Sequence, residues 1–295
     1  MAQSGPSTLP LELEREIFEQ AAYTDPLCVP SLMLVAWRVK IWVEPFLYRV
    51  LMLMGTNWKL EQGYPFVDDR HFTRASAMPT DVLKNSVRNL WLHWLPHDAA
   101  ESFISAAARV ENLWVSMRFN PTDSLLHAIG SVSPKRLHTY VHDLLGLEDL
   151  LTLPILSRVT HIEVLSVTTD KHAEIWQAFA QIRTLTHLAF AAEDSEFLDL
   201  CPSLLGACTT LRVLLYKTDS RDFDSTENFP VLCDLREDVR FVQMCHDNGA
   251  RDWRMGALTG VEFWSRAEDF IAKRKSGEID RLQYIMEEDA SITSP

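Results

Sequence analysis

The sequence predicts an α/β solenoid of parallel strand–helix units, preceded by a small helical unit and closed by a terminal helix. Three observations predict it. An apolar pattern of the form L-x-x-L-x-L recurs seven times between residues 87 and 244. Its central residues are Leu90, Leu113, Leu137, Ile162, Leu188, Leu214 and Val242, giving steps of 23, 24, 25, 26, 26 and 28 residues. The segments between motifs carry apolar residues at helical spacing. A short strand followed by a helix, repeated in one sense, requires parallel pairing with right-handed crossovers.

In chain order, residues 1–8 are small and polar and are expected to be disordered. From Leu9 to Ala22 the spacing predicts a helix, with Thr8 as its cap and Pro10 in its first turn. Leu13, Ile17 and Phe18 share one face, and Glu12, Glu16 and Glu19 the other. Thr24-Asp25-Pro26 ends it, and a second helix is expected over 31–42, closed by Glu44-Pro45. These elements form a unit over 9–48. Leu47-x-x-Val50-x-Met52 predicts an opening strand of the solenoid, which spans 49–250. Residues 55–80 contain Gly55, Gly63, Pro65 and Pro79 and read as a loop or insertion, long enough to hold a hairpin. Helices are expected over 97–108, 122–129, 148–153, 170–180 and 195–205. In the C-terminal part, 251–295, the stretch 260–271 places Phe263, Ala267, Phe270 and Ile271 on one helical face. Such a helix is expected to cover the open end of the stack. Residues 287–295 read as a loose acidic tail.

Charge narrows the function classes. Lys and Arg total 28 against 41 Asp and Glu, a net charge of −13. That balance speaks against a nucleic-acid groove or an anionic membrane surface as partner. The five cysteines are odd in number and form no C-x-x-C pair, which fits free thiols in a reducing compartment. The first residues hold neither a basic nor an apolar stretch of the secretory kind. The apolar stretch 27–54 is broken by Arg38, Lys40, Glu44 and Arg49, which excludes a bilayer span there. A cytoplasmic or nuclear protein is expected.

Few residues suggest chemistry. His93 and His97 are four apart, but Pro96 and the strand setting spoil the geometry for a metal. Asp222-Phe223-Asp224-Ser225-Thr226 has the D-x-D-x-T look of a phosphotransfer aspartate, yet it lies in an interrepeat loop. Phosphate-loop, nucleophile-elbow, zinc-helix and dinucleotide motifs are absent from the sequence. The expectation is a non-enzymatic protein with neither cofactor nor metal, and an enzyme built on the D-x-D-x-T cluster is the alternative from another class.

A solenoid turns attention to its surface. Residues alternate in and out along each strand, and equivalent positions of parallel strands form ladders about 4.8 Å apart. With the motif residues inward, one outward ladder runs Trp91, Trp114, His138, Glu163. A second includes Arg136, His161 and His187. Tryptophan beside Arg and His is the mixture found at binding hot spots. These seven residues are the candidate face for a protein substrate. The alternative is that loops or the C-terminal segment cover them.

The repeats resemble leucine-rich repeats of the ribonuclease-inhibitor-like kind, in degenerate form. Where that family commonly has asparagine three residues past the motif, this chain has Leu95, Arg118, His142, Val167, Glu193, Asp219 and Asp247, so the turns must be held some other way. The unit 9–48 carries Leu9-Pro10-x-Glu12-Leu13-x-x-x-Ile17-Phe18, Asp25-Pro26-Leu27, Val35-Ala36-x-Arg38 and Glu44-Pro45-Phe46-Leu47-Tyr48 in order. In this it resembles an F-box, of the type expanded in mushroom-forming fungi. The resemblance implies docking on the Skp-type adaptor of a cullin–RING (SCF) ubiquitin ligase through Leu9, Pro10, Leu13, Ile17, Phe18, Val35 and Trp42. It further implies that the repeats present a target protein for ubiquitination. A repeat scaffold that binds proteins without a ligase is the runner-up.

Overall fold

The computed structural model describes residues 9–54, 66–67, 80–117, 121–140, 154–165, 172–191, 196–218, 234–245 and 249–286. Among the described residues its frame is one sheet of ten strands. In chain order these are β1 (Val50–Met54), β2 (Phe66–Val67), β3 (Asn89–His93), β4 (Asn112–Ser116), β5 (Arg136–Thr139), β6 (His161–Val164), β7 (His187–Ala191), β8 (Val213–Thr218), β9 (Phe241–Cys245) and β10 (Ile285–Met286). In space the order is β10-β9-β8-β7-β6-β5-β4-β3-β1-β2, and every pairing is parallel. Among the described residues, five α-helices stand between strands: α4 (Thr80–Ser86), α5 (His97–Ala106), α6 (Asp123–Ser131), α7 (His172–Gln181) and α8 (Glu196–Ala207). α5 to α8 follow the spacing of the sequence, whereas α4 is not among the helices expected from it; the numbering continues from the three helices of the N-terminal unit. The helix expected over 148–153, the cap Thr8 and the two tails lie outside the described residues.

The motif leucines set the register. Leu90, Leu113, Leu137, Ile162, Leu188 and Leu214 sit opposite one another on successive strands. All six are buried in one continuous core that also takes Phe103, Leu125, Phe179 and Leu198 from the helices. Burying each such side chain is worth about 1.5–3 kcal/mol. The expected register fails by one residue at both ends. Leu51, not Val50, faces Leu90, and Phe241, not Val242, faces Leu214. Phe241 therefore joins the helix-side core, while Val242 and Met244 point to the opposite face. A one-residue slip reverses every side chain of a strand. The insertion after β1 contributes β2, which lies parallel to β1 and so forms no hairpin with it.

Paired backbone bonds hold the turns before the strands; of the positions where an asparagine ladder would lie, after the strands, only Leu95 is among the described residues. The carbonyl of Arg88 accepts from the N–H groups of both Glu111 and Asn112. The carbonyl of Glu111 accepts from Lys135 and Arg136, that of Lys135 from Thr160 and His161, and that of Thr160 from Thr186 and His187. The Thr160 and Thr186 hydroxyls reinforce the ladder by donating to the carbonyls of Lys135 and Thr160.

The N-terminal unit is helical, as expected, but divided differently. It holds α1 (Leu11–Thr24), a single turn of 3-10 helix (Pro26–Cys28), α2 (Val29–Leu32) and α3 (Trp37–Leu47). The Asp25 carboxylate accepts from the Leu27 N–H and fixes the corner after α1. The second helix starts at Trp37, not Ser31, and Pro45 lies inside its last turns. Ala22, Val29, Val39 and Val43 form a separate small core.

The largest departure is at the C-terminus. The chain leaves β9, forms α9 (Gly249–Thr259) and α10 (Phe263–Ser276), and returns to add β10 beside β9. These helices lie across the sheet face opposite α5–α8, not over the end of the stack. Trp253 and Ala257 of α9 pack on Val50, Met52, Met54, Trp91 and Trp114. Phe263, Trp264, Ala267 and Ile271 of α10 pack on Ala189, Val213, Leu215, Val242 and Met244. Gly277, at φ +78°, stops α10 in the left-handed conformation that suits glycine. Arg274 then ties the return, donating to the carbonyls of Arg236, Val239, Phe241 and Arg281.

Candidate functional site

Two surfaces were candidates, and the structure treats them oppositely. The outward sheet face is filled from within the chain. Trp91 and Trp114 stack at 3.8 Å between ring centroids, and His138 continues the stack 5.1 Å beyond Trp114. The ladder is as expected, but its exposure is not. Trp91 is 3% and Trp114 7% exposed, and His138, Glu163 and His187 are buried. Arg136 and His161 are half-buried. Trp253 closes the stack edge-on at 5.2 Å from Trp91, and its indole N–H donates to Oδ1 of Asn112 at 3.1 Å.

Burying this face also buries charge, which is tolerated only when paired. The Glu163 carboxylate bridges His138 Nδ1 on β5 and Lys217 Nζ on β8. The Lys217 ammonium sits 4.1 Å from the centroid of the Phe263 ring. Arg136 places a guanidinium nitrogen 2.8 Å from Glu262, the residue that caps the start of α10. Burial drives the Glu262 carboxyl up to about 7, against the pull of Arg136. His161 and His187 stack at 3.9 Å with Trp264 edge-on to both. The Nδ1 of each sits 2.7 Å from the hydroxyl oxygen of its preceding threonine, Thr160 or Thr186. Burial depresses the basicity of His138, His161 and His187 alike, although Glu163 and Glu268 oppose it at His138 and His187. This arrangement is an internal interface. It clamps α9 and α10 to the sheet and buries Trp91, Trp114, His138, Glu163 and His187, with Arg136 and His161 half-buried at its margin.

The helical unit is the reverse. Among the described residues, ten of the thirteen large apolar side chains that stay exposed lie between Leu9 and Ile41. Leu9, Leu13, Ile17 and Tyr23 line a shallow groove along α1, with Phe46 at its wall. Ile17 is 57% and Val35 61% exposed, and Pro10 also faces solvent. Of the residues singled out from sequence, Phe18 and Trp42 differ, since they pack against the unit's own small core. Leu34, Trp37 and Ile41 were missed by sequence reading and are exposed, Trp37 by 72%. Their signal was available: the short 3-10 turn and α2 are too small to cover an apolar run from Leu32 to Trp37. A cleft of about 110 Å³ separates this unit from β1 and α9, lined in part by Leu27, Phe46, Met52, Arg254 and Leu258.

Asp222 and Asp224 lie outside the described residues. Among the described residues, no helix is long and apolar enough to cross a membrane. No protein-family model matches the chain, and no curated protein matches it.

Proposed function

We propose that this chain is a substrate-recognition adaptor that docks on a Skp-type adaptor of a cullin–RING ubiquitin ligase through residues 9–48. The observation that carries this reading is the apolar surface left open on the helical unit. A small unit that exposes Leu9, Leu13, Ile17, Leu34, Val35 and Trp37 together has the surface of a partner site, because isolated domains rarely leave so much apolar area in water. The ordered F-box-like motif names the partner class. The adaptor would perform no chemistry; its role is to hold a target near the ligase-bound donor.

Co-expression with a fungal Skp-type adaptor tests this. The wild-type chain is expected to co-purify with it. Leu13→Asp with Ile17→Asp should abolish the complex and leave the melting temperature in place, because both side chains already face water. Absence of a complex at micromolar concentration, or a complex indifferent to the double substitution, refutes the reading and favours the ligase-free scaffold.

A further inference from the structure

In parallel strand–helix repeats, every helix-to-strand turn falls on the same edge of the sheet. From β5 to β8, that edge carries one basic side chain per turn: Lys135, Arg158, Arg183 and Arg212, all exposed. The four turns and the ends of the elements before them, residues 128–135, 155–160, 178–186 and 204–212, contain no carboxylate. In a chain of net charge −13 such an acid-free stretch stands out. Lys135 pairs with Glu111 of the preceding turn at 2.9 Å. Arg158, Arg183 and Arg212 form no ion pair or side-chain hydrogen bond among the described residues. Exposed hydroxyls of Thr184, Thr209 and Thr210 lie on the same turns.

We propose that this edge binds a short, extended, acidic segment of a partner protein. Four parallel strands span about 14 Å at about 4.8 Å per step, the length of four or five extended residues. Guanidinium groups match carboxylates with two parallel hydrogen bonds. Helix dipoles explain a basic residue only within about a turn of a helix end. That covers Arg183, two residues past α7, but not Arg212, five past α8. A nucleic acid fits less well. It would meet the field of the whole acidic chain, and these turns have no exposed aromatic ring on which a base could stack. The edge is separate from the helical unit, so its occupancy is independent of whether that unit docks a ligase.

Fluorescence anisotropy with the full chain and a labelled hexaglutamate peptide tests the proposal. Saturable binding is expected, weakened by added salt, with a hexaglutamine peptide inert. Arg158→Gln, Arg183→Gln and Arg212→Gln together should weaken binding at least tenfold with an unchanged melting temperature. The corresponding triple Lys variant, which keeps the charge but not the paired hydrogen bonds, should bind between the two, which also covers the case in which the Gln variant folds poorly. Absence of saturable peptide binding, equal affinity of the Gln and wild-type chains, or tighter binding of a single-stranded oligonucleotide than of the peptide would each overturn the proposal.

Discussion

Removing the Trp253 side chain should loosen α9 from the sheet. The ring is fully buried, packs edge-on against Trp91, and donates to Asn112. Trp253→Ala deletes the ring between α9 and the Trp91–Trp114 stack, and truncations of this kind cost about 3–5 kcal/mol. Trp253→Phe keeps most of the contact but leaves Asn112 Oδ1 without its donor, at a cost of about 1–3 kcal/mol. Urea titration followed by far-UV circular dichroism gives both numbers from the shift in midpoint at constant slope. The expected order of stability is wild type, then Phe, then Ala. An Ala variant within about 1 kcal/mol of wild type would refute the assignment, because buried tryptophans that bridge two layers do not vanish without effect.

Two other substitutions probe the same layer. Glu262 titrates near 7 when folded and near 4.5 when unfolded, so the folded state holds its proton more tightly. Its contribution is full below pH 4.5 and is lost as pH rises through 7. Glu262→Gln should therefore flatten the decline in wild-type stability from pH 5 to 8, by about 1–3 kcal/mol once the lost Arg136 contact is included; an unchanged slope in pH-dependent melting would disprove this. Gly256 lies mid-helix in α9, where alanine would ordinarily add about 1 kcal/mol. Here a Cβ would sit 2.5 Å from the Glu262 Cβ, so Gly256→Ala should lower the melting temperature, and a rise would show that α10 starts elsewhere.

The register between Leu90 and Leu214 was legible because those strands, though buried, keep motif leucines at a fixed offset. It was illegible at β1 and β9 for a physical reason. Val50-Leu51-Met52-Leu53-Met54 is apolar at every position, and Phe241-Val242 offers two equal anchors. A parallel strand covered on both faces loses alternation, the only local cue to which side is which. That loss was itself a signal: Ala189, Val213 and Leu215 on the outward side already implied a second covering layer. The bridge from Glu163 to Lys217 joins residues 54 apart in sequence, and no local pattern predicts such a pair. His138 and Glu163 therefore looked like a recognition surface when each was one half of a buried contact. In the helical unit the motif order located the exposed Leu9, Leu13, Ile17 and Val35, but spacing alone could not tell that Phe18 and Trp42 turn inward. Those two are chosen by the corner at Asp25, which swings α3 back across α1.

The return of the chain to β9 has a consequence for biosynthesis. Strands β1 to β9 can assemble as they leave the ribosome, but their second face stays bare until α10 has been made, 31 residues after β9 ends. At about 5–20 residues per second, that delay lasts roughly 2–6 s. Throughout it the nascent protein displays stacked indoles and an Arg136 still without Glu262, which makes this the interval when chaperones have most to shield.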